Sequence, residues 1–155
     1  RVPLIFSCPP RYQSDLRSDA LVELLDMTAT ILDVAGAPLP DYCQGRSLLP
    51  ILVGEASPDE HREFVRCEYF DALDPHFTGG TGTFATMYRN RSHKLSVYHS
   101  HGLGELFDLE RDPWEFDNLW ADPQSESLKS ELIRRSFDAH VMLTTDVGSR
   151  RIAPM

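Results

Sequence analysis

Between Phe64 and Leu109 the chain breaks into four short runs, "FVRCEYFD", "TFATMYR", "HKLSVY" and "GELFDL", rich in Phe, Val, Tyr and Thr and parted by glycine-rich or polar turns. Branched and aromatic side chains suit a pleated, half-buried surface. The runs therefore predict four antiparallel strands. Such a sheet needs a cover for its apolar face, and the sequence offers one downstream. Asp122 and Pro123 stand at the cap and first-turn positions of a last helix, whose Leu128, Leu132, Ile133, Phe137 and Val141 form one apolar stripe. The helix is expected to lie across the small sheet.

Upstream the pattern differs. Val2 to Ser7 is a nearly continuous apolar run ended by Pro9 and Pro10, which suits a strand buried on both faces. A lone strand is no sheet, so its partners should lie in sequence absent here unless it serves as an edge. The chain also starts without methionine, and a piece of a longer polypeptide is expected. From Asp19 to Ala35, Leu21, Leu24, Leu25, Ile31, Leu32 and Ala35 recur at helical spacing, with Ser18 placed to cap and Gly36 and Pro38 to stop. The prolines and glycines of "GAPLPDYCQGRSLLPILVG" predict an irregular packed connection, and Pro50 argues against one continuous helix there. The tail from 144 to 155 has no periodicity and is expected to be extended.

The stretch "GELFDLERDPWEFDNLWADP" joins the last strand to the last helix with a dense punctuation of Asp, Pro and Asn. Proline fixes φ in the turn, and Asn118 can bond neighbouring backbone while Leu119 is buried. This predicts a staple between the sheet edge and the final helix. The wording "ELFDLERDPWEFDNL" also resembles the C-terminal signature of the sulfatase family, in which Asp112, Pro113, Glu115, Asn118 and Leu119 find counterparts. "RVPLIF", "LLDMTATILDVAGAPLPDYCQGRSLLPIL" and "MYRNRSHKLSVY" resemble other segments of that family in the same order, across about 120 residues.

The resemblance implies an α+β arrangement: the C-terminal subdomain of a sulfatase-like α/β enzyme, with a four-stranded antiparallel sheet and a C-terminal helix, preceded by one strand and helix of the large domain. Residues 1–60 would close the large domain, 61–143 form the subdomain and 144–155 the tail. It implies an enzyme cleaving sulfate esters with a formylglycine, made from a Cys/Ser-x-Pro-x-Arg motif, and a divalent cation, calcium or magnesium. Those elements precede the "RVPLIF" strand in the family. No catalytic or metal residue is therefore expected in this chain, which should be inactive alone. Cys8-Pro9-Pro10-Arg11-Tyr12 has Tyr12 where the motif needs arginine, so a buried or strand-end packing role is expected for Cys8.

Cys8, Cys43 and Cys67 have neither metal-ligand nor disulfide-framework spacing and read as free thiols. His93 and His99 share a strand face, yet roughly 20 Å of strand separates them, too far for shared ligation. Arg89 and Lys94, flanking a turn, are expected to satisfy carbonyls or local acids. The loop "DALDPHFTGGTGTFATMYR" is the one candidate for substrate contact, carrying Asp74 and His76 beside the glycines at 79, 80 and 82; the bland alternative is a solvated hairpin loop.

A formal charge of -9, with 24 acidic against 15 basic residues, argues against nucleic acid or an anionic membrane as partner. No run reaches the roughly 18 apolar residues a membrane span needs. A soluble protein is expected, its compartment left open with a weak lean to the cytoplasm, and with a sulfated small molecule or carbohydrate as substrate and a homo-oligomer as an option. A phosphonate monoester or phosphodiester hydrolase of the same superfamily is the competing enzyme. A non-catalytic binding or assembly module is the competing class, and the lone buried-type strand speaks against it.

Overall fold

The computed structural model describes residues 2–71 and 82–145. It divides into two compact units, Arg1–Glu63 with Leu143–Met155, and Phe64–Met142.

The second unit carries strands β1 (Val65–Phe70), β2 (Phe84–Arg89), β3 (His93–Tyr98) and β4 (Leu103–Asp108), paired antiparallel in the order β1-β2-β3-β4. The register aligns Arg66, Tyr88, Leu95 and Leu106 in one row across the sheet. On this face Tyr88, Leu95 and Leu106 meet Leu132 and Ala139 of the last helix, with Phe64 stacked on Tyr88 at 5.2 Å. Each fully buried leucine contributes about 1.5–3 kcal/mol relative to exposure.

That helix (Glu126–Thr145) follows a short 3-10 turn, Pro123–Ser125, capped by Asp122, whose carboxylate accepts the Gln124 N–H at 3.0 Å and the Ser125 hydroxyl at 2.8 Å. These two bonds hold the Asp122 carboxyl below its usual range. The buried side of the helix differs from the predicted stripe. Leu128, Leu132 and Ala139 pack inward, whereas Ile133, Phe137 and Val141 are exposed, Phe137 by 67%.

The acidic punctuation has a mechanical explanation. Asp108 Oδ1 accepts the N–H groups of Glu110 and Arg111, and Asp112 Oδ2 accepts that of Asp117. Each aspartate therefore ties down the turn after it. Glu115 adopts φ +61°, rare for a residue with a side chain, and its carboxylate pairs with Lys94. Asn118 then does what a fifth strand would do. Its amide donates to the Gly104 carbonyl at 3.2 Å, while its Oδ1 accepts the Leu106 and Trp120 N–H groups at 3.0 Å each. Edge groups of β4 are thus paired by one side chain. Asn118→Ala is expected to cost about 1–2 kcal/mol, because one donor and one acceptor on the β4 edge and the Trp120 N–H lose their partner together. Chemical denaturation measures it, and an unchanged midpoint would show that water replaces the amide without loss.

In the first unit the helix α1 spans Leu24–Val34, and a single turn α2 spans Leu49–Leu52 with Pro50 in its first turn, where a missing N–H costs nothing. The last helix is hereafter α3. The C-terminus of α1 falls as expected, at Ala35 and a left-handed Gly36. Its start does not. Ser18 is not the cap: its hydroxyl is bonded to the Pro58 carbonyl and the Ala20 N–H, and Asp19 N–H reaches Asp59. Those contacts hold 18–20 outside the helix, which begins five residues later than Asp19. Residues 2–7 form no ladder among the described residues. Cys8 is exposed rather than buried, and its carbonyl accepts the N–H groups of Arg11 and Tyr12. All three cysteines are free.

Candidate functional site

Asp74 and His76 lie outside the described residues, but the frame from which their connection springs is well defined. Asp71 donates its N–H to the Thr83 carbonyl at 2.9 Å, closing the last rung between β1 and β2. Beside it Phe70 and Phe84 are cross-strand partners with ring centroids 6.3 Å apart. His99 extends the same row by donating its N–H to the Phe84 carbonyl at 2.8 Å, and its Nε2 lies 3.0 Å from Thr86 Oγ1. Two residues inward and on the same face, Glu68 pairs with Thr86 across the strands, and its Oε1 sits 2.7 Å from His140 Nδ1 on α3 and 3.4 Å from Arg66. This end of the sheet therefore joins two phenyl rings, imidazoles and an acid on one face. Periodicity could not have found it, because its members come from three strands and a helix and meet only through the register.

Arg89 and Lys94 are cross-strand partners at the far end. Lys94 meets Glu115 and also lies 5.5 Å above the Phe107 ring, satisfying a local acid as expected. His93 opens β3 and His99 follows its last residue, and among the described residues no group of three or more His, Cys, Asp or Glu could hold a metal ion. On β3 and β4 the Tyr98 hydroxyl lies 3.3 Å from Glu105, whose negative charge, with some burial, raises the phenol's pKa.

The first unit contains a cluster that sequence reading missed. Asp26 of α1 is fully buried, and its carboxylate accepts from Arg62 Nε at 2.9 Å, from Arg62 Nη2, and from the backbone N–H groups of Glu23 and Arg46 at 2.9 and 2.8 Å. His61 Nε2 lies 3.2 Å away. Thr30, one turn on, accepts the Leu48 N–H at 2.9 Å and donates to the Asp26 carbonyl. The polar face of α1 thus holds the 44–48 segment by backbone bonds. Gly45 is required there, since a Cβ would stand 2.2 Å from the Leu25 carbonyl oxygen. An arginine some 36 residues downstream of an aspartate was the only available signal.

With its donors all engaged, this cluster is a lock and not a reactive centre. Burial works against the Asp26 anion, but the Arg62 hydrogen bonds, the two backbone N–H groups and the Arg62 charge outweigh it and hold the pKa low. Burial lowers the His61 pKa, aided by Arg62 and Arg46 and opposed by Asp26. Both groups therefore favour the deprotonated form in the folded state. The stability His61 contributes is present above its ordinary 6.5 and is lost as pH falls below it. That of Asp26 is present above 3.8 and is lost further down, through its folded pKa. Urea midpoints of the first unit should decline from about pH 6.5 downward, and His61→Gln should remove the upper part of that decline. A midpoint flat from pH 7 to pH 5 would contradict the assignment.

Residues 1–141 match the family described as "N-sulphoglucosamine sulphohydrolase, C-terminal". A Delta 4,5-hexuronate-2-O-sulfatase of Bacteroides thetaiotaomicron is 31% identical, with 96% of this chain and 32% of the relative aligned. Human arylsulfatase K is 34% identical over 76% of this chain and 22% of its own length. Among solved structures, a phosphonate monoester hydrolase from Silicibacter pomeroyi superposes with a TM-score of 0.66 at 27% identity, over 79% of this chain and 26% of its own. The chain thus spans a third or less of these proteins.

Proposed function

The chain belongs to the N-sulphoglucosamine sulphohydrolase C-terminal family, and on that premise we propose that the protein containing it hydrolyses sulfate esters of a carbohydrate. The observation that carries the reading is the family match over residues 1–141, supported by relatives named as sulfatases. Residues 1–60 would complete a large catalytic domain, 61–143 would form the subdomain beside it, and 144–155 a tail. A formylglycine and a divalent cation, calcium or magnesium, would supply the nucleophilic oxygen and neutralise developing charge. The described residues offer no ligand set for that cation. Substrate contact is the part proposed for this chain. A sulfated hexuronate fits the relative named for a hexuronate 2-O-sulfatase.

Asp74 and His76 are the contacts proposed from the 71–86 connection, because that connection leaves from a sheet end that the register and the Asp71–Thr83 rung hold in place. An imidazole donating to an anionic sugar group contributes a charge-assisted bond, so His76→Ala should lower kcat/KM for a sulfated disaccharide by about 10-fold, with a smaller effect on nitrophenyl sulfate. Equal losses on both would move His76 into general scaffolding.

A second reading keeps a specific support, the likeness to the phosphonate monoester hydrolase at TM-score 0.66. Assaying the full-length protein against nitrophenyl sulfate and a phenyl phosphonate monoester separates the two. Faster turnover of the phosphonate would replace the sulfatase reading.

A further inference from the structure

The core packing of α3 leaves one end of its sheet face open, and that end carries large apolar groups. Phe70 and Phe84 are 51% and 45% exposed, although they pair across the strands with rings tilted by 33°. Two phenyl faces held in water by a formed ladder forgo burial that an occupant would supply. The polar groups around them restrict what that occupant can be. His99 is oriented by Thr86 through Nε2, and among the described residues its Nδ1 has no hydrogen bond. His101 Nε2 lies 3.3 Å from the Gly82 carbonyl, and His140 and Arg66 flank Glu68. His99, His101 and His140, three of the chain's six histidines, thus gather at the end of the sheet that carries Phe70 and Phe84.

Flat CH faces stack on phenyl rings, and an imidazole N–H such as that of His99 suits a carboxylate or sulfate oxygen better than a cation. We propose that this shelf binds one ring of an anionic saccharide, stacked on Phe70 and Phe84 and bonded through His99. The choice of ligand rests on the hydrolase reading above.

Calorimetry with a sulfated unsaturated hexuronate disaccharide tests the shelf without needing turnover. On the full-length protein, Phe70→Ala with Phe84→Ala should raise Kd by about 10-fold, and Phe116→Ala, exposed beside the Glu115 that pairs with Lys94 at the far end of the sheet, should leave it unchanged. His99→Gln, a surface change that keeps the fold, should raise Kd by several-fold, and the saccharide should slow hydrogen exchange at Asp71, Phe84 and His99. An unchanged Kd in both shelf variants, absent binding by the wild type, or an equal loss in Phe116→Ala would each overturn the proposal. So would a dimer that dissociates in the Phe70→Ala/Phe84→Ala variant, because the occupant would then be a second copy. An active sulfatase with shelf-independent affinity defeats the shelf alone, and an inactive protein that binds through the shelf defeats the hydrolase reading alone.

Discussion

Replacing Arg62 with methionine is expected to destabilise the first unit by about 3–5 kcal/mol, the scale for stripping one partner from a buried ion pair. Arg62 is itself buried, and both of its Asp26 contacts lie where Asp26 has no exposure at all. Without the guanidinium, the anion keeps only the Glu23 and Arg46 N–H groups and His61, and its pKa should climb as burial reasserts itself. Asp26→Asn tests the reverse, leaving Arg62 to Glu23 at 3.6 Å and the Gln44 carbonyl at 3.1 Å. Replacing both partners with leucine should cost less than the two single changes summed, yet should not be neutral. The Arg46 and Glu23 N–H groups would still lack the acceptor that Asp26 gives them. Urea unfolding and exchange of the α1 amides read the effect. A single-variant loss below about 1 kcal/mol would mean that water enters and solvates the site.

The contrast between α1 and the sheet explains what could be read from the sequence. The four strands stood out because Val, Phe, Tyr and Thr cluster where the pleat accepts them, and three observed strands lie within the quoted runs while β4 starts one residue ahead of its run, at Leu103. Helical spacing located α1 but misjudged its buried side. Leu24 and Ile31 are 78% and 60% exposed, while Asp26, Ala29 and Thr30 are buried. Apolar periodicity assumes that burial follows hydrophobicity, and here hydrogen bonds to the backbone of 46 and 48 decide the orientation instead. Ser18 failed as a cap for a related reason, since Pro58, 40 residues away, offered its hydroxyl an acceptor that local pattern cannot reveal. The acidic turn was legible because its bonds are local, Asp108 to Glu110 and Arg111, Asp112 to Asp117. The shelf at Phe70 and Phe84 was not, because only cross-strand register brings Glu68, Thr86 and His99 together.

Gly104→Ala should cost about 3 kcal/mol, although alanine is the better strand residue by intrinsic preference. The reason is space. A Cβ at 104 would stand 2.3, 2.4 and 2.6 Å from the Cζ3, Cε3 and Cδ2 atoms of Trp120. The indole has little freedom to withdraw: its backbone N–H is held by Asn118, its carbonyl accepts from Lys129 Nζ at 3.0 Å, and that ammonium also lies 5.1 Å from the ring centroid. Moving β4 instead would break the Gly104 and Leu106 bonds to Asn118 and lift Leu106 out of the core. The collision is therefore paid either in ring packing or in the staple. Trp120→Leu should remove the collision, so that Gly104→Ala becomes nearly neutral in that background, giving a coupling energy of about 2–3 kcal/mol in a double-mutant cycle. Additive losses would place the cost of Gly104→Ala in the strand backbone and leave Trp120 out of the account.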